Sequence, residues 1–577
     1  MNERKVNFTI DGQDLSAAQG TTIFESAKSI GINIPHLCYH EKLSIYGACR
    51  VCVVEVKGKP RLEPSCATLV EEGMVVKTNT SRIRRARKMI VELLLANHPE
   101  DCFTCDRSQT CELRDLAYNL GIRDLRFQKA RKYHYDLDET SPAIIRDPNK
   151  CILCSRCIRV CSEIQAVGAI DFVNRGGKTQ VLTFFNKGLN NVDCTTCGQC
   201  ILACPTGALR ERTAVDDVWG ALSDPKKFVV VQTAPAVRAA IGEEFGMPAG
   251  SLVTGKMAEA LRRVGFDKVF DTQFGADLTI IEEANELVER IKNKGTIPMI
   301  TSCSPGWIKY LEHFFPDLKK HVSTCKSPQQ MFGAIAKAYY AKKIGVEPKD
   351  MCVVSIMPCT AKKFEAQRPE MRSSGTQDVD IVLTTREAGR MIKEAGIDFV
   401  NLPEGDFDKP LGISTGAAVI FGATGGVMEA ALRTAYEVVT GKTLEKIDFE
   451  EVRGMQEIKS AEIDLDGTIL KVAVAHGLSN AKILLEEIKN KTSPYHFIEI
   501  MTCPGGCLGG GGQPMPTNEE VRLKRAESIY QEDRNKPIRK SHESPAIKEI
   551  YKDFLGKPLG KLSHHLLHTH YIKRPRY

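Results

Sequence analysis

Eight cysteines fall in two runs with one spacing, Cys151-xx-Cys154-xx-Cys157-xxx-Cys161 and Cys194-xx-Cys197-xx-Cys200-xxx-Cys204. A chain built around this repeat must turn two tight loops so that three thiols of each converge, which is ligand geometry rather than packing. In all there are 21 cysteines in 577 residues. Disulfide scaffolds are short secreted chains with cysteine above about 8–10%, so this chain is too long and too poor in cysteine to be one. The start, MNERKVNFTI, is charged and then alternating, without the apolar stretch of a secretory signal. No run approaches 18 consecutive apolar residues, so no membrane helix is expected. The expected compartment is cytoplasmic and reducing, where clustered cysteines are metal ligands or catalytic thiols.

Length predicts about three to five domains. The net charge of +7 is the balance of 79 basic and 72 acidic residues. No compact basic stripe carries it, so no nucleic-acid partner is expected. With 42% hydrophobic and 26% charged residues, the composition is that of a folded soluble protein.

Residues 1–80 read as short strands and turns. VNFTIDGQDL is a hairpin with a turn at Asp11-Gly12, and VCVVEVKGKPRLEP is a strand pair about Gly58. From 81 to 145 SRIRRARKMIVELLLANH and CELRDLAYNLGI have helical periodicity. The polar stretch 131–150 contains Pro142 and Pro148 and reads as a linker. The duplicated runs occupy 146–212. Over 213–514 the texture is α/β: KKFVVVQTA, IPMITS, MCVVSIM, VDIVLTT, KVAVAH and FIEIMT are candidate buried strands, with KMAEALRRVGF and AGRMIKEAGI as helices. Three of the strands run directly into Cys303, Cys359 and Cys503. Ligand sites in α/β sheets collect at the carboxyl ends of strands, so these three cysteines are expected to converge. From 515 to 577 the chain is polar and charged.

The duplicated runs resemble the two-cluster ferredoxin pattern, in which the fourth cysteine of each run ligates the other cluster. The expected sets are Cys151, Cys154, Cys157 and Cys204 for one 4Fe-4S cube, and Cys194, Cys197, Cys200 and Cys161 for the other. Zinc is the alternative for CxxC pairs, and the repeat argues against it. Cys38, Cys49, Cys52 and Cys66 resemble a 2Fe-2S site with a lengthened first gap, as at the head of the large iron–sulfur subunit of respiratory complex I. A structural zinc is again the alternative. His98, Cys102, Cys105 and Cys111 make one four-ligand set, either a 4Fe-4S cube or a Cys3His zinc site, and the neighbouring sets favour the cube.

This order of sets resembles complex I, some formate dehydrogenases and the large iron-only (FeFe) hydrogenases. Three motifs choose the last. Thr301-Ser302-Cys303-Ser304-Pro305-Gly306-Trp307 resembles the first hydrogenase signature. Met357-Pro358-Cys359 through Glu365 matches the second, and Glu499-Ile500-Met501-Thr502-Cys503-Pro504-Gly505-Gly506-Cys507 the third. The resemblance covers essentially the whole chain. It implies a multi-domain α+β and α/β architecture: a β-grasp 2Fe-2S domain, a small helical cluster domain, a two-cluster ferredoxin domain, a large α/β domain for the H-cluster, and a C-terminal tail wrapping that domain. The H-cluster is a 4Fe-4S cube joined through one cysteine sulfur to a two-iron centre carrying CO, cyanide and a dithiolate.

By motif match, the resemblance implies that Cys359, Cys503 and Cys507 are protein ligands, Cys507 bridging to the two-iron unit. Lys362 would hydrogen-bond a cyanide, for which an ammonium is a suitable point donor. Met357, Met501, Pro235 and Pro328 would pack the pocket, Ala234 would offer its amide, and Gln329 would lie near a diatomic ligand. Ala236 stands where many relatives have serine. The first motif departs from the family, which has two adjacent cysteines, a proton relay and then a cube ligand. Here Cys303 matches the relay and Ser304 the ligand. Either Ser304 binds iron as an alkoxide, or Cys303 ligates the cube and gives up the relay, or the site is altered. Glu283, Ser323 and Glu286 match the relay leading to Cys303. Glu282 and Glu289 on the same helix read as a solvated face.

The resemblance implies reversible oxidation of H2, with four iron–sulfur clusters as the wire. From 59 mV per decade, seven pH units put the proton/hydrogen couple at about −410 mV, close to plant-type 2Fe-2S centres at about −400 mV. Expected partners are ferredoxin and, in a nicotinamide-linked and electron-bifurcating complex, flavin- and NAD-binding and small 2Fe-2S subunits. A stand-alone ferredoxin hydrogenase and a non-turnover hydrogen sensor, the latter suggested by Ser304, are the competing readings. The glycines at 422–426 and 509–512 do not form a dinucleotide fingerprint, and the second run reads as close backbone approach. His564, His565, His568 and His570 read as surface and packing residues, and Cys325 and Cys352 as buried free cysteines.

Overall fold

The computed structural model describes residues 4–127, 134–444, 446–465 and 467–576. At the N-terminus, the strands Lys5–Ile10 and Gln13–Ala18 form the expected hairpin. Asp11 (φ 51°) and Gly12 (φ 91°) take the left-handed conformations that a two-residue hairpin turn requires. Val75–Lys77 pairs parallel with the first strand and antiparallel with Val53–Val56. Helix Ile23–Ser29 carries a capping box from Thr22 and Glu25. The sheet order and this helix make the β-grasp unit.

Helices Ser81–Ala96 and Glu112–Asn119 follow. The stretch read as a linker is structural for most of its length, its first three residues lying outside the described ones. Ile144–Arg146 pairs antiparallel with Leu209–Glu211, and Arg146 exchanges backbone bonds with Asp138. The two-cluster unit is therefore closed by a strand that precedes its first cysteine. Prolines and polar residues disguised a strand only three residues long.

The large domain holds two four-stranded sheets. One runs Lys268–Asp271, Phe228–Thr233, Met351–Met357, Ile381–Thr384, all parallel, with Val231 opposite both Val269 and Val354. The other runs Met299–Ile300, Phe497–Met501, Thr468–His476, Ile458–Leu465, the last antiparallel. All six apolar runs read from sequence are strands. Each sheet lies against its own hydrophobic core. Long helix Gln273–Lys292 lies between them, buried for most of its length.

The tail is stapled on by buried charge. Asp533 accepts from Arg433 at 2.9 and 3.0 Å and from Arg539. Arg525 makes a bidentate pair with Glu243 at 2.7 and 2.8 Å. Among the described residues, no helix is long and apolar enough to cross a membrane.

Candidate active site

The strand ends of both sheets converge as their sequence predicts. Thr233 leads into Ala234-Pro235-Ala236, Ile300 into Cys303-Ser304, Met357 into Pro358-Cys359, and Met501 into Thr502-Cys503. Together with Pro328, Gln329, Lys362 and Cys507, these line one cavity. Every pocket residue expected from sequence is there: Ala234, Pro235, Pro328, Gln329, Met357 and Met501 as well as Ser304.

The cysteines divide within this cavity. Burial raises the thiol of Cys503 well above its ordinary range, and Cys359, Cys197 and Cys507 push it further. Cys507 is pushed up to about 12 by burial and Cys359. Cys303 feels burial first, then the carboxylates Glu283 and Glu499, with Cys507 after them. Cys359, Cys503 and Cys507 thus form one group, and Cys303 stands toward the carboxylates. Ser304 Oγ lies 2.7 Å from Thr502 Oγ1 and accepts the Thr502 amide at 3.2 Å. Lys362 Nζ donates to the Cys303 carbonyl at 3.1 Å and pairs with Glu365 Oε2 at 2.9 Å.

On the far side of Cys303 lies a file of polar groups. Glu283 is 1% exposed, and neither of its carboxylate oxygens has a hydrogen-bond partner among the described residues. Burial, then Glu286, pushes its carboxyl up to about 8, while Ser323 and the Ser302 backbone pull it down. Ser323 Oγ donates to Glu286 Oε2 at 2.8 Å, and Arg290 donates to Glu286 Oε1 at 2.6 Å. Arg290 was missed from sequence, although Glu286 and Arg290 are an i,i+4 pair. Glu282 corrects an expectation: it is fully buried, not solvated, and its carboxylate takes donors from the tail. Glu289 is exposed as expected.

Three of the four upstream sets expected from sequence are brought together, and the His98 set is not. Cys52 Sγ lies 3.4 Å from Cys66 Sγ, and Cys38 is hydrogen-bonded by Cys49 and Cys66, which lowers its pKa. Cys151, Cys154, Cys157 and Cys204 line a single small cavity, the crossed arrangement. Cys200 is raised by burial and by Cys197, Cys194 and Cys161, the second crossed set. Cys111 is raised by burial and by Cys105, while Cys102 is exposed and His98 Nδ1 is 3.0 Å from the Pro99 carbonyl. The three buried sets fit iron–sulfur clusters chemically. Buried thiols that raise one another's pKa become thiolates only around a cationic core.

The two-cluster unit touches the large domain at the cavity's edge. Thr360 Oγ1 donates to Thr196 O at 2.7 Å and Gln199 Nε2 to Gly509 O at 2.8 Å. A Cβ on Gly511 would lie 2.4 Å from Cys197 O, and one on Gly510 2.1 Å from Pro358 O. The glycine run therefore serves close backbone approach, as read from sequence.

This constellation, a series of cysteine sets leading to an apolar cavity lined by four cysteines with a file of polar groups beside it, defines an iron–sulfur oxidoreductase. Residues 227–511 match the profile of the iron only hydrogenase large subunit, C-terminal domain, and 519–574 that of the iron hydrogenase small subunit. Residues 3–81 match a 2Fe-2S iron-sulfur cluster binding domain, 87–126 the NADH-ubiquinone oxidoreductase-G iron-sulfur binding region, and 141–210 the ferredoxin-like domain of NADH-quinone oxidoreductase subunit 3. The chain is 53% identical to the NADP-reducing hydrogenase subunit HndD of Solidesulfovibrio fructosivorans over 99% of both chains. It is 43% identical to iron hydrogenase 1 of Clostridium pasteurianum, over 98% of this chain and 99% of that one. A solved variant of the [FeFe]-hydrogenase HydA1 from Chlamydomonas reinhardtii matches 63% of this chain and all of its own, at 46% identity and a TM-score of 0.57. The chain belongs to the FeFe-hydrogenase family and is a catalytic subunit acting on H2, with one 2Fe-2S domain, 4Fe-4S domains for three cubes and an H-cluster domain.

Proposed function

We propose that Cys303 is the proton relay of this hydrogenase and that Ser304 stands at the fourth corner of the active-site cube. The observation that carries this reading is the division of the two side chains. Burial and then the Glu283 carboxyl raise the Cys303 thiol, while Ser304 is bonded to Thr502, the residue before Cys503. Cys359, Cys503 and Cys507 hold the H-cluster, which when bound supplies the irons at which H2 is split or formed. Lys362, fixed by Glu365, presents its remaining N–H to an anionic ligand, and the apolar walls exclude water. Protons pass between the Cys303 thiol and the surface by way of Glu283, Ser323 Oγ and Glu286, whose carboxylate Arg290 holds in place. Cys161, Cys194, Cys197 and Cys200 would hold one cube and Cys151, Cys154, Cys157 and Cys204 another, and these would supply electron transfer to and from the cavity. The outer centres are held by His98, Cys102, Cys105, Cys111 and by Cys38, Cys49, Cys52, Cys66.

The subunit works in the cytoplasm within a nicotinamide-linked complex, with ferredoxin as second electron partner and flavin-containing and small 2Fe-2S subunits beside it. A full-length relative named as a subunit of an NADP-reducing hydrogenase supports this, as does the lack of a dinucleotide fingerprint here. The test is hydrogen evolution from reduced viologen by matured protein, with CO and cyanide infrared bands, followed by isolation of the native assembly. Turnover with co-isolated flavin subunits is expected. NADH-driven turnover by this chain alone would refute the complex.

A further inference from the structure

The proton file is gripped from outside by the last residues of the tail. Lys326 N donates to Leu567 O and Thr569 N to Thr324 O, each at 2.7 Å, pairing Cys325 with His568 as an isolated antiparallel bridge. Tyr571 Oη donates to the Ser323 carbonyl at 2.9 Å. His568 Nδ1 lies 2.7 Å from Thr324 Oγ1, and its Nε2 lies 3.1 Å from Glu282 Oε2. Glu282 also accepts from Leu559 N at 2.8 Å and from Tyr551 Oη. Glu282 precedes Glu283 on helix Gln273–Lys292. One histidine ring therefore ties together the helix that carries Glu283 and Glu286 and the segment that carries Ser323.

This grip bears on distance. A proton moves between heavy atoms about 2.6–3.2 Å apart, and a misplacement of 1 Å costs on the order of 100-fold. Ser323 Oγ meets Glu286 Oε2 at 2.8 Å, while the same residue's carbonyl is held by Tyr571. Thr324 N also donates to Glu286, at 3.1 Å to Oε2, so a shift of this segment moves two donors off one carboxylate. The groups facing His568 are Glu282, Glu286, Thr324, Cys325 and the stacked ring of His564.

We propose that His568 and Tyr571 are positioning residues of the proton relay, through which the tail sets Ser323 in register between Glu283 and Glu286. The proposal rests on the relay reading above. It assigns work in proton transfer to the segment that matches the small-subunit profile, whose composition looked merely polar.

The test uses matured holoprotein carrying Tyr571→Phe or His568→Gln, with Glu283→Gln as reference. Hydrogen evolution is followed from about pH 6 to 9 in H2O and D2O, and infrared bands report the H-cluster. Each tail variant should lose about tenfold in rate, half the logarithmic cost of a 1 Å misplacement. Its solvent isotope effect should rise and its pH profile should shift, with the infrared bands at wild-type positions. An unchanged isotope effect and pH profile in Tyr571→Phe, whatever the rate, overturns the proposal, since a uniform loss is what a purely structural role gives. Wild-type turnover in Glu283→Gln would instead sink the relay reading itself. If His568→Gln does not fold, Tyr571→Phe, which loses one hydroxyl, decides alone.

Discussion

Ser304 Oγ lies 2.7 Å from Thr502 Oγ1 and accepts the Thr502 amide at 3.2 Å, so this serine is held beside the loop that carries Cys503. The thiol of the adjacent Cys303 is instead raised by burial and then by the Glu283 carboxyl. Substituting each residue separates a ligand from a relay. Cys303→Ala should keep the cube's iron count and lose turnover by about 100-fold or more, the usual weight of a proton-transfer group. Ser304→Ala should lose iron from the cube, and Ser304→Cys should retain it. Iron analysis and electron paramagnetic resonance of the reduced protein read the cube, and viologen-driven hydrogen evolution reads turnover. Loss of the cube in Cys303→Ala would reverse the two roles.

The Glu283 carboxyl sits at about 8 in the fold against an ordinary 4.5, raised first by burial and then by Glu286. A carboxyl raised in this way stays protonated when folded while the unfolded chain has released its proton. Its contribution to stability is complete below about pH 4.5 and is lost as pH climbs through about 8. Glu283→Gln, which cannot ionise, should gain thermal stability relative to wild type over that window. It should also lose proton delivery, with turnover down by about 100-fold. Thermal unfolding and viologen assays at several pH values check both signs. A stability gap that does not widen with pH would show that Glu283 is ionised in the fold.

Much of this was legible because strand and ligand signals are local. Six apolar runs became strands, and every pocket residue expected from the motifs lines one cavity. What escaped was short, at a sheet edge or distant. Lys268–Asp271 is four residues with a lysine at its head, and Ile458–Leu465 alternates as an edge strand. Glu282 looked solvated because its helix neighbours are acidic. Its true partners, Tyr551, Leu559 and His568, lie some 270 or more residues onward. Periodicity locates a face but not what the fold later lays across it.

Lys362 and Glu365 are both buried and 2.9 Å apart, and Glu365 also accepts from Ser327 Oγ at 2.8 Å. Removing one partner of a buried pair leaves an uncompensated charge, at a cost of about 3–5 kcal/mol. Glu365→Ala should therefore destabilise the domain and release Lys362 from its aim at the cavity. Lys362→Met should fold but fail to retain the two-iron centre, and Lys362→Arg should not rescue it, because the forked guanidinium is not a point donor. Infrared bands and iron content after maturation check this. Normal bands in Lys362→Met would show that the ammonium does not hold the centre.

The contact between the two-cluster unit and the large domain makes a separate prediction about electron delivery. Gly198 has φ +71°, and a Cβ there would lie 2.4 Å from Thr360 Oγ1. One on Gly511 would lie 2.4 Å from Cys197 O. Side chains at either position must push the Cys197 loop away from the Cys503 side of the cavity. Gly511→Val should cost about 1–3 kcal/mol through overpacking and slow turnover that draws electrons through the wire. Hydrogen–deuterium exchange with H2, which needs only the active site and its proton file, should persist. The comparison is ferredoxin-linked hydrogen evolution against isotope exchange on the same matured sample. Equal loss of both would place the damage at the H-cluster cavity, and no loss of either would show that the backbones need not approach so closely.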